Sequence, residues 1–410
     1  MTDFQKNLEK YAEIAIKIGV NLQENQSLVI RASINAKDIV RKIVKKAYEA
    51  GGKDVLVEWS DDEVSLIRFM NAPKEALKEF PKWKAEGYAE MAKNGTAFLT
   101  VSAPNPDLLK DIDPSRVALS RKTSAMAMKD FSFMMRSGKV NWTALVIPTE
   151  SWAEKVYPDL TTEDGLHKLW DDIFKITRVA TPDPISAWKE HINNLQAKLE
   201  LLNSKKYKKL HFKGPGTDLT MNLPDDQVWI GGGMTTESGI FCVPNVPTEE
   251  VFTAPLKSTV NGTVKSTKPL SYNGSLIDNF SFTFENGKIV DFSAEQGYEV
   301  LKKMLETDET SPYLGEVALV PHDSPISNTK TVFYNTLFDE NASCHLAVGS
   351  AYASCIENGG KMSKDELEGN DLNTSLIHVD FMIGSAELNI DGETPDGKIE
   401  PIFRKGNWDK

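Results

Sequence analysis

The chain has 410 residues and a formal charge of -12 at pH 7. Its length exceeds the size at which one hydrophobic core stops growing, so two domains are expected, and 40% hydrophobic with 26% charged residues argues against a disordered or fibrous chain. The acidic balance repels phosphate backbones, and no basic run with interleaved aromatics offsets it, so nucleic acid is not an expected partner. The segment Met1 to Asn7 lacks a long apolar stretch, and no run of about 18 apolar residues occurs, so no membrane partner and a cytoplasmic location are expected.

In chain order, Phe4, Leu8, Tyr11, Ala15 and Ile18 recur at helical spacing. Ser27-Leu28-Val29-Ile30 then makes a short apolar run, and Ile39, Val40, Ile43, Val44 and Ala47 mark a second amphipathic helix ending at Gly51-Gly52. Further buried strands are expected at Val55–Val57, Phe98–Val101 and Ala144–Ile147, separated by helical stretches at Glu75 to Ala92 and Met126 to Met135. That alternation predicts an α/β amino-terminal domain with a mostly parallel sheet. Residues 162–204 read as helical, and a long helix before a composition change marks a seam, giving domains at 1–204 and 205–410.

After Lys205 the pattern changes to hairpins. Leu210–Phe212 leads through Gly214-Pro215-Gly216 into Leu219–Met221, and Phe282–Phe284 leads through Asn286-Gly287 into Ile289–Phe292. Asn-Gly between alternating strands is a strong type I′ signal. Asn261-Gly262, Asn273-Gly274, Asp391-Gly392 and Asp396-Gly397 add similar punctuation, so the second half is expected to be a β-rich, barrel-like α+β domain that binds metal. The three cysteines, Cys242, Cys344 and Cys355, form neither a disulfide framework nor a Cys-x-x-Cys pair; Cys344 beside His345 reads as a small buried thiol.

The carboxy-terminal half also gathers hard oxygen and imidazole donors: Glu250, Glu316, Glu340, His345 and the triplet His378-Val379-Asp380. In a strand, His378 and Asp380 project to one face while Ile377, Val379 and Phe381 pack behind them. An ionised carboxylate there needs a partner, and a divalent cation shared with a neighbouring imidazole is a suitable one. Taken alone, Glu250 after Pro247-Thr248-Glu249 reads as a solvated loop or cap residue, and Tyr352 as a core aromatic. A helix from Ala342 to Ile356 would put His345 and Tyr352 on one face, two turns apart, with Glu340 at its amino end. Gly231-Gly232-Gly233 opens no helix and reads as a turn or close backbone approach; His322-Asp323-Ser324 cannot converge as a triad, and His167, His191 and His211 are scattered.

The segments Pro247–Pro255, Leu314–Val320, Phe338–Ala347 and Ile377–Gly384 resemble the thermophilic-type metalloaminopeptidases, the aminopeptidase T and aminopeptidase S family. The resemblance covers the whole chain, with its signatures in the second half. It implies a two-metal exopeptidase with ligands Glu250, Glu316, Glu340, His345, His378 and Asp380. It also implies Glu316 and Tyr352 as the catalytic pair, a peptide substrate with a free amino terminus, and zinc, cobalt, manganese or magnesium as the two ions. A homodimer whose α/β domains help enclose the active-site cavity belongs to the same expectation. On that basis Glu316 would act as base toward a metal-bridging water and Tyr352 would steady the oxyanion. Carboxylate and histidine ligands equally serve a dinuclear hydrolase of another bond, such as a phosphoester, or a scaffold stabilised by metal.

Overall fold

The computed structural model describes residues 2–272 and 275–409, which leaves Asn273-Gly274 outside the described residues. The chain divides into two compact units, Met1–Glu190 with Gly233–Pro247, and His191–Gly232 with Thr248–Lys410. The division therefore falls inside the long helix Pro184–Lys205, ahead of the composition change at 204/205, and the short segment 233–247 returns to the first unit.

In the first unit β1 (Ser27–Ser33), β2 (Asp54–Ser60), β3 (Ala97–Ser102) and β4 (Trp142–Val146) form a parallel sheet in the order β2-β1-β3-β4. The central strands carry continuous apolar runs, with Leu28, Val29, Ile30, Phe98 and Leu99 all buried, as a sheet covered on both faces requires. Two expected helices are each broken in two. The stretch Glu75 to Ala92 splits into a 3-10 turn Lys74–Lys78 and a helix Lys82–Lys93, because Pro81 can neither donate to a helical ladder nor follow a helical residue comfortably. The Met-rich stretch lies in helices Pro114–Ala127 and Lys129–Arg136.

The second unit opens with the hairpin β5 (Lys209–Gly214) and β6 (Thr217–Asn222), followed by β7 (Ile230–Gly231). The pair β8 (Met234–Thr235) and β9 (Phe241–Cys242) lies in the segment that belongs with the first unit. The second unit continues with β10 (Val251–Thr253), β11 (Asn261–Lys265), β12 (Leu270–Tyr272), β13 (Ser275–Glu285), β14 (Lys288–Gln296), β15 (Leu314–Leu319), β16 (His345–Gly349), β17 (His378–Met382), β18 (Asn389–Glu393), β19 (Ile399–Arg404) and β20 (Asn407–Trp408). One antiparallel sheet runs β17-β16-β15-β10-β7; a larger one runs from β12 to β20, with β14 on β13. Asn286 and Gly287 both have positive φ, 49° and 83°, and close β13 onto β14 as their type I′ reading requires. Asn261-Gly262 and Asp391-Gly392 lie inside strands instead of turns. A Cβ at Gly262 would sit 2.1 Å from the Asp218 carbonyl oxygen, so that glycine serves a close strand approach.

The helix expected from Ala342 to Ile356 does not form. Glu340–Ala342 is a 3-10 turn, His345–Gly349 is β16, and Tyr352 is extended before a second 3-10 turn, Ala353–Cys355. A four-residue run of His345-Leu346-Ala347-Val348 is equally compatible with a buried helix or strand. Pairing to β15 on one side and β17 on the other decides for the strand.

Candidate metal centre

Strand register places Glu316, His345, His378 and Asp380 on one face of the five-stranded sheet, with Glu250 just ahead of β10. Glu340 instead lies on the 3-10 turn Glu340–Ala342 and in neither of the two donor groups that these side chains form. Glu316 is opposite Ala347, and Ala347 is opposite Asp380, so these three form a row across β15, β16 and β17. His345 and His378 lie two residues from Ala347 and Asp380 and share their face. On β10, Phe252 faces Ala318, which faces His345, and Glu250 sits two residues before Phe252. Ala318, Ala347 and Gly349 leave the space over the sheet to the longer polar side chains. The opposite face, with Val317, Leu346, Val348, Val379 and Phe381, packs into the main core.

Two groups of donor atoms result, Glu250 with Glu316 and His345, and Glu316 with His378 and Asp380, each within 4.8 Å. His345 Nε2 is 3.1 Å from Glu250 Oε2 and 3.5 Å from Glu316 Oε1; His378 Nε2 is 3.6 Å from Glu316 Oε2 and 3.3 Å from Asp380 Oδ1. Both imidazoles are fixed from behind. His345 Nδ1 donates to the Ser343 carbonyl at 3.1 Å and His378 Nδ1 to the Ser350 carbonyl at 2.6 Å, which turns each Nε2 toward the carboxylates.

The carboxylates perturb one another. Burial, reinforced by the charges of Asp380 and Glu250 and opposed by the two imidazoles, pushes Glu316 up to about 7. Burial and the charges of Asp380, Glu250 and Glu316 push Glu340 well above its ordinary value, although His345 opposes them. Burial resists a charge on His378, but Asp380 and Glu316 overcome it and raise the imidazole to about 10; Glu250 and Glu316 likewise raise His345 against the effect of burial. Burial alone would raise Asp380, but the His378 and His345 charges take it below the usual value. Protons on the imidazoles are the counter-charge here, and a cation can replace them. Asp380 Oδ1 is buried with the 3.3 Å His378 contact in place of a well-aligned hydrogen bond, and the oxygen and imidazole donors match what hard and borderline divalent ions take.

Tyr352 is 40% exposed, with its ring 5.1 Å from His378 and 5.6 Å from Phe252. Partial desolvation by the surrounding protein and the charges of Glu316, Asp380, Glu250 and Glu340 raise its pKa, so the phenol stays protonated at neutral pH. Tyr352 thus stands beside the cluster on an extended segment and shares no helix with His345. Cys344 is turned away: its Sγ donates to the Val320 carbonyl at 3.3 Å. Among the set-aside residues, His211 pairs with Asp218 at 2.6 Å, whereas His191 Nε2 reaches the Thr248 carbonyl at 2.8 Å, directly before Glu249-Glu250. Two supporting residues gave no sequence signal. Asn341 Oδ1 accepts the Glu249 amide at 2.7 Å while its Nδ2 lies 3.4 Å from Glu340 Oε1, and Phe252 walls the site beside Tyr352. Gly231 serves a close approach, since a Cβ there would meet the Glu250 carbonyl oxygen at 2.3 Å.

The antiparallel unit thus presents clustered carboxylates and imidazoles at one sheet face, a donor set suited to a divalent cation. The family model for thermophilic metalloprotease (M29) matches residues 4–408. Aminopeptidase 2 of Geobacillus stearothermophilus is 53% identical over 408 residues, covering 100% of this chain and 99% of that protein. Aminopeptidase AmpS of Bacillus subtilis is also 53% identical over 408 residues, with 100% of both covered. The solved structure of wild-type AmpT from Thermus thermophilus superposes with a TM-score of 0.93 at 42% identity, over 99% of each chain. The chain belongs to the thermophilic metalloprotease family M29 and is a metal-dependent exopeptidase.

Proposed function

We propose that this chain is an aminopeptidase that takes single residues from the free amino ends of peptides, using two divalent ions held by Glu250, Glu316, Glu340, His345, His378 and Asp380. The observation that carries the reading is that two donor groups meet at Glu316, with the Tyr352 ring 5.1 Å from that of His378. The donor set suits zinc, cobalt, manganese or magnesium. Once bound, the ions would supply Lewis-acid polarisation of the scissile carbonyl and acidify a water.

The remaining steps belong to side chains. Glu316, common to both donor groups, takes the proton of the attacking water on its carboxylate and returns it to the leaving amine. Tyr352 donates its hydroxyl proton in a hydrogen bond to the developing oxyanion and keeps it, as a group with a raised pKa should. Two divalent ions would balance the four carboxylates, so preference for a free amino end over an acylated one would come from the amine lone pair, a ligand that acylation removes. The resemblance to the aminopeptidase T and S family also supports a homodimer. Val64, Ile67, Met70, Trp83, Met126 and Phe133 of the first unit are exposed, and large exposed apolar residues are what a subunit contact would cover. Light scattering at twice the chain mass would bear this out, and a monomer would remove it.

The test of the activity is amino-acid release from matched unblocked and amino-acetylated peptides, using chelator-stripped protein with cobalt, manganese or zinc added back. Metal-dependent cleavage of the unblocked peptides alone is expected. Equal cleavage of acetylated peptides, or none with any metal, would overturn the proposal.

A further inference from the structure

The segment Gly349–Tyr352 leaves β16 and brings Tyr352 to the site. It is held at successive residues: Gly349 N–H donates to the Tyr313 carbonyl at 2.8 Å, Ser350 N–H to Ile377 at 2.6 Å and Ala351 N–H to Asn373 at 2.7 Å. The Ser350 carbonyl also accepts from His378 Nδ1. Gly315 lies beneath the segment, where a Cβ would sit 2.2 Å from the Gly349 oxygen and 2.5 Å from the Ser350 carbonyl carbon. Ser350 is therefore fixed by β17 itself, whereas the step from Ala351 to Tyr352 depends on where the Asn373 backbone lies.

That backbone is pinned by its own side chain. Asn373 is 1% exposed, and its Nδ2 donates to the carbonyls of Thr310 and Tyr313, each at 3.0 Å. Two carbonyl acceptors fix the amide orientation, because the flipped form would set oxygen against oxygen. The Tyr313 carbonyl thus receives both Gly349 N–H and Asn373 Nδ2, which joins the two ends of the segment to one acceptor. Asn373 Oδ1 has no hydrogen-bond partner among the described residues. An amide that leaves one buried oxygen unpaired is a costly way to fill space, and the return on it is the placement its nitrogen imposes.

We infer that Asn373 is a positioning residue for the reaction: by anchoring the carbonyl that holds Ala351, it sets the reach of the Tyr352 hydroxyl over the metal cluster without touching substrate or ligand. The inference rests on the proposed role of Tyr352. A small misplacement of a reacting group costs up to about 100-fold in rate, so Asn373→Ala should lower kcat by about 10–100-fold with KM and bound metal nearly unchanged.

The experiment measures kcat, KM and metal content for amino-acyl anilide cleavage by metal-loaded wild type, Asn373→Ala, Tyr352→Phe and the double variant. Fold is checked by circular dichroism, and Asn373→Ser is the milder substitute if the alanine variant does not fold. If Asn373 acts through Tyr352, the double variant is no slower than Tyr352→Phe alone. Losses that multiply, full activity in Asn373→Ala, a lowered metal content or unfolding of both Asn373 variants would each overturn the inference. Full activity in Tyr352→Phe would instead remove the tyrosine's role, and the inference with it.

Discussion

Glu316 and Tyr352 can be separated experimentally because they differ in how they meet the cluster. Glu316 is buried within both donor groups, so Glu316→Gln should keep the fold and lose nearly all turnover. Tyr352 is a phenol whose raised pKa keeps it protonated, a poor ligand beside carboxylates and imidazoles, so Tyr352→Phe should hold its metal and lose about 10²–10³-fold in kcat, the scale of one oxyanion donor. Paired kinetics and metal analysis on the two variants check both statements, and an unimpaired Tyr352→Phe would take the phenol out of the mechanism. At this scale the sequence was informative where chemistry conflicted with context: Asp380 and His378 stand in an apolar strand, which demands an explanation. Asn341 and Phe252 present no such conflict. An asparagine after a glutamate and a phenylalanine in a strand are ordinary, and their value appears only when the chain brings them to Glu249 and Tyr352.

Elements decide how accurately those side chains are presented. β7 lies against β10 so closely that Gly231, with φ of 151°, has room for no side chain next to the Glu250 carbonyl. Gly231→Ala should therefore displace Glu250 and weaken metal binding about 10–100-fold, the effect of disturbing a ligand's support, as a metal titration would read. Unchanged affinity would show that β7 plays no part in placing the ligand. At the other edge, Asp308 fixes the approach to β17: its carboxylate accepts from Thr310 N–H and Oγ1, Ser375 Oγ and Leu376 N–H. Burial would raise its pKa, but those bonds win and hold it well below the usual carboxylate range. A depressed folded-state pKa gives stability that is complete above the unfolded value, about 3.9, and is lost as pH falls below it. Asp308→Asn should thus melt about 2–4 °C below wild type at pH 7. The gap should close as the buffer is taken below about pH 4, and a gap independent of pH would assign the effect to packing instead of charge. The hairpin at Asn286-Gly287 could be read from sequence because its turn chemistry is local, whereas β16 could not, since a short apolar run becomes a strand only through neighbours 30 residues away.

Across the whole molecule, the alternation of strands and helices in the first half and the hairpins of the second made the two fold classes legible, because both follow from local periodicity. The return of residues 233–247 to the first unit was not, because nothing in its composition separates it from the chain on either side. The candidate ligands tie residues from Glu250 to Asp380 into one network, so metal occupancy should bear on the stability of the folded chain as well as on its chemistry. Four carboxylates and two imidazoles gathered close together repel or protonate without a cation, and unfolding disperses them. A ligand that binds only the folded state stabilises it by about 2.7 kcal/mol at a hundred times its dissociation constant. Chelation should therefore lower the melting temperature, and add-back should restore it. The slope carries more information than the shift. Each ion released on unfolding adds about 1.4 kcal/mol of stability per tenfold rise in free metal, so two ions predict about 2.7 kcal/mol per decade once both sites are filled. Denaturant melts across a series of buffered free-metal concentrations would measure that slope. A value near 1.4 would leave the fold with one tightly held ion and require a mononuclear mechanism, with Glu316 as base but not as a shared ligand.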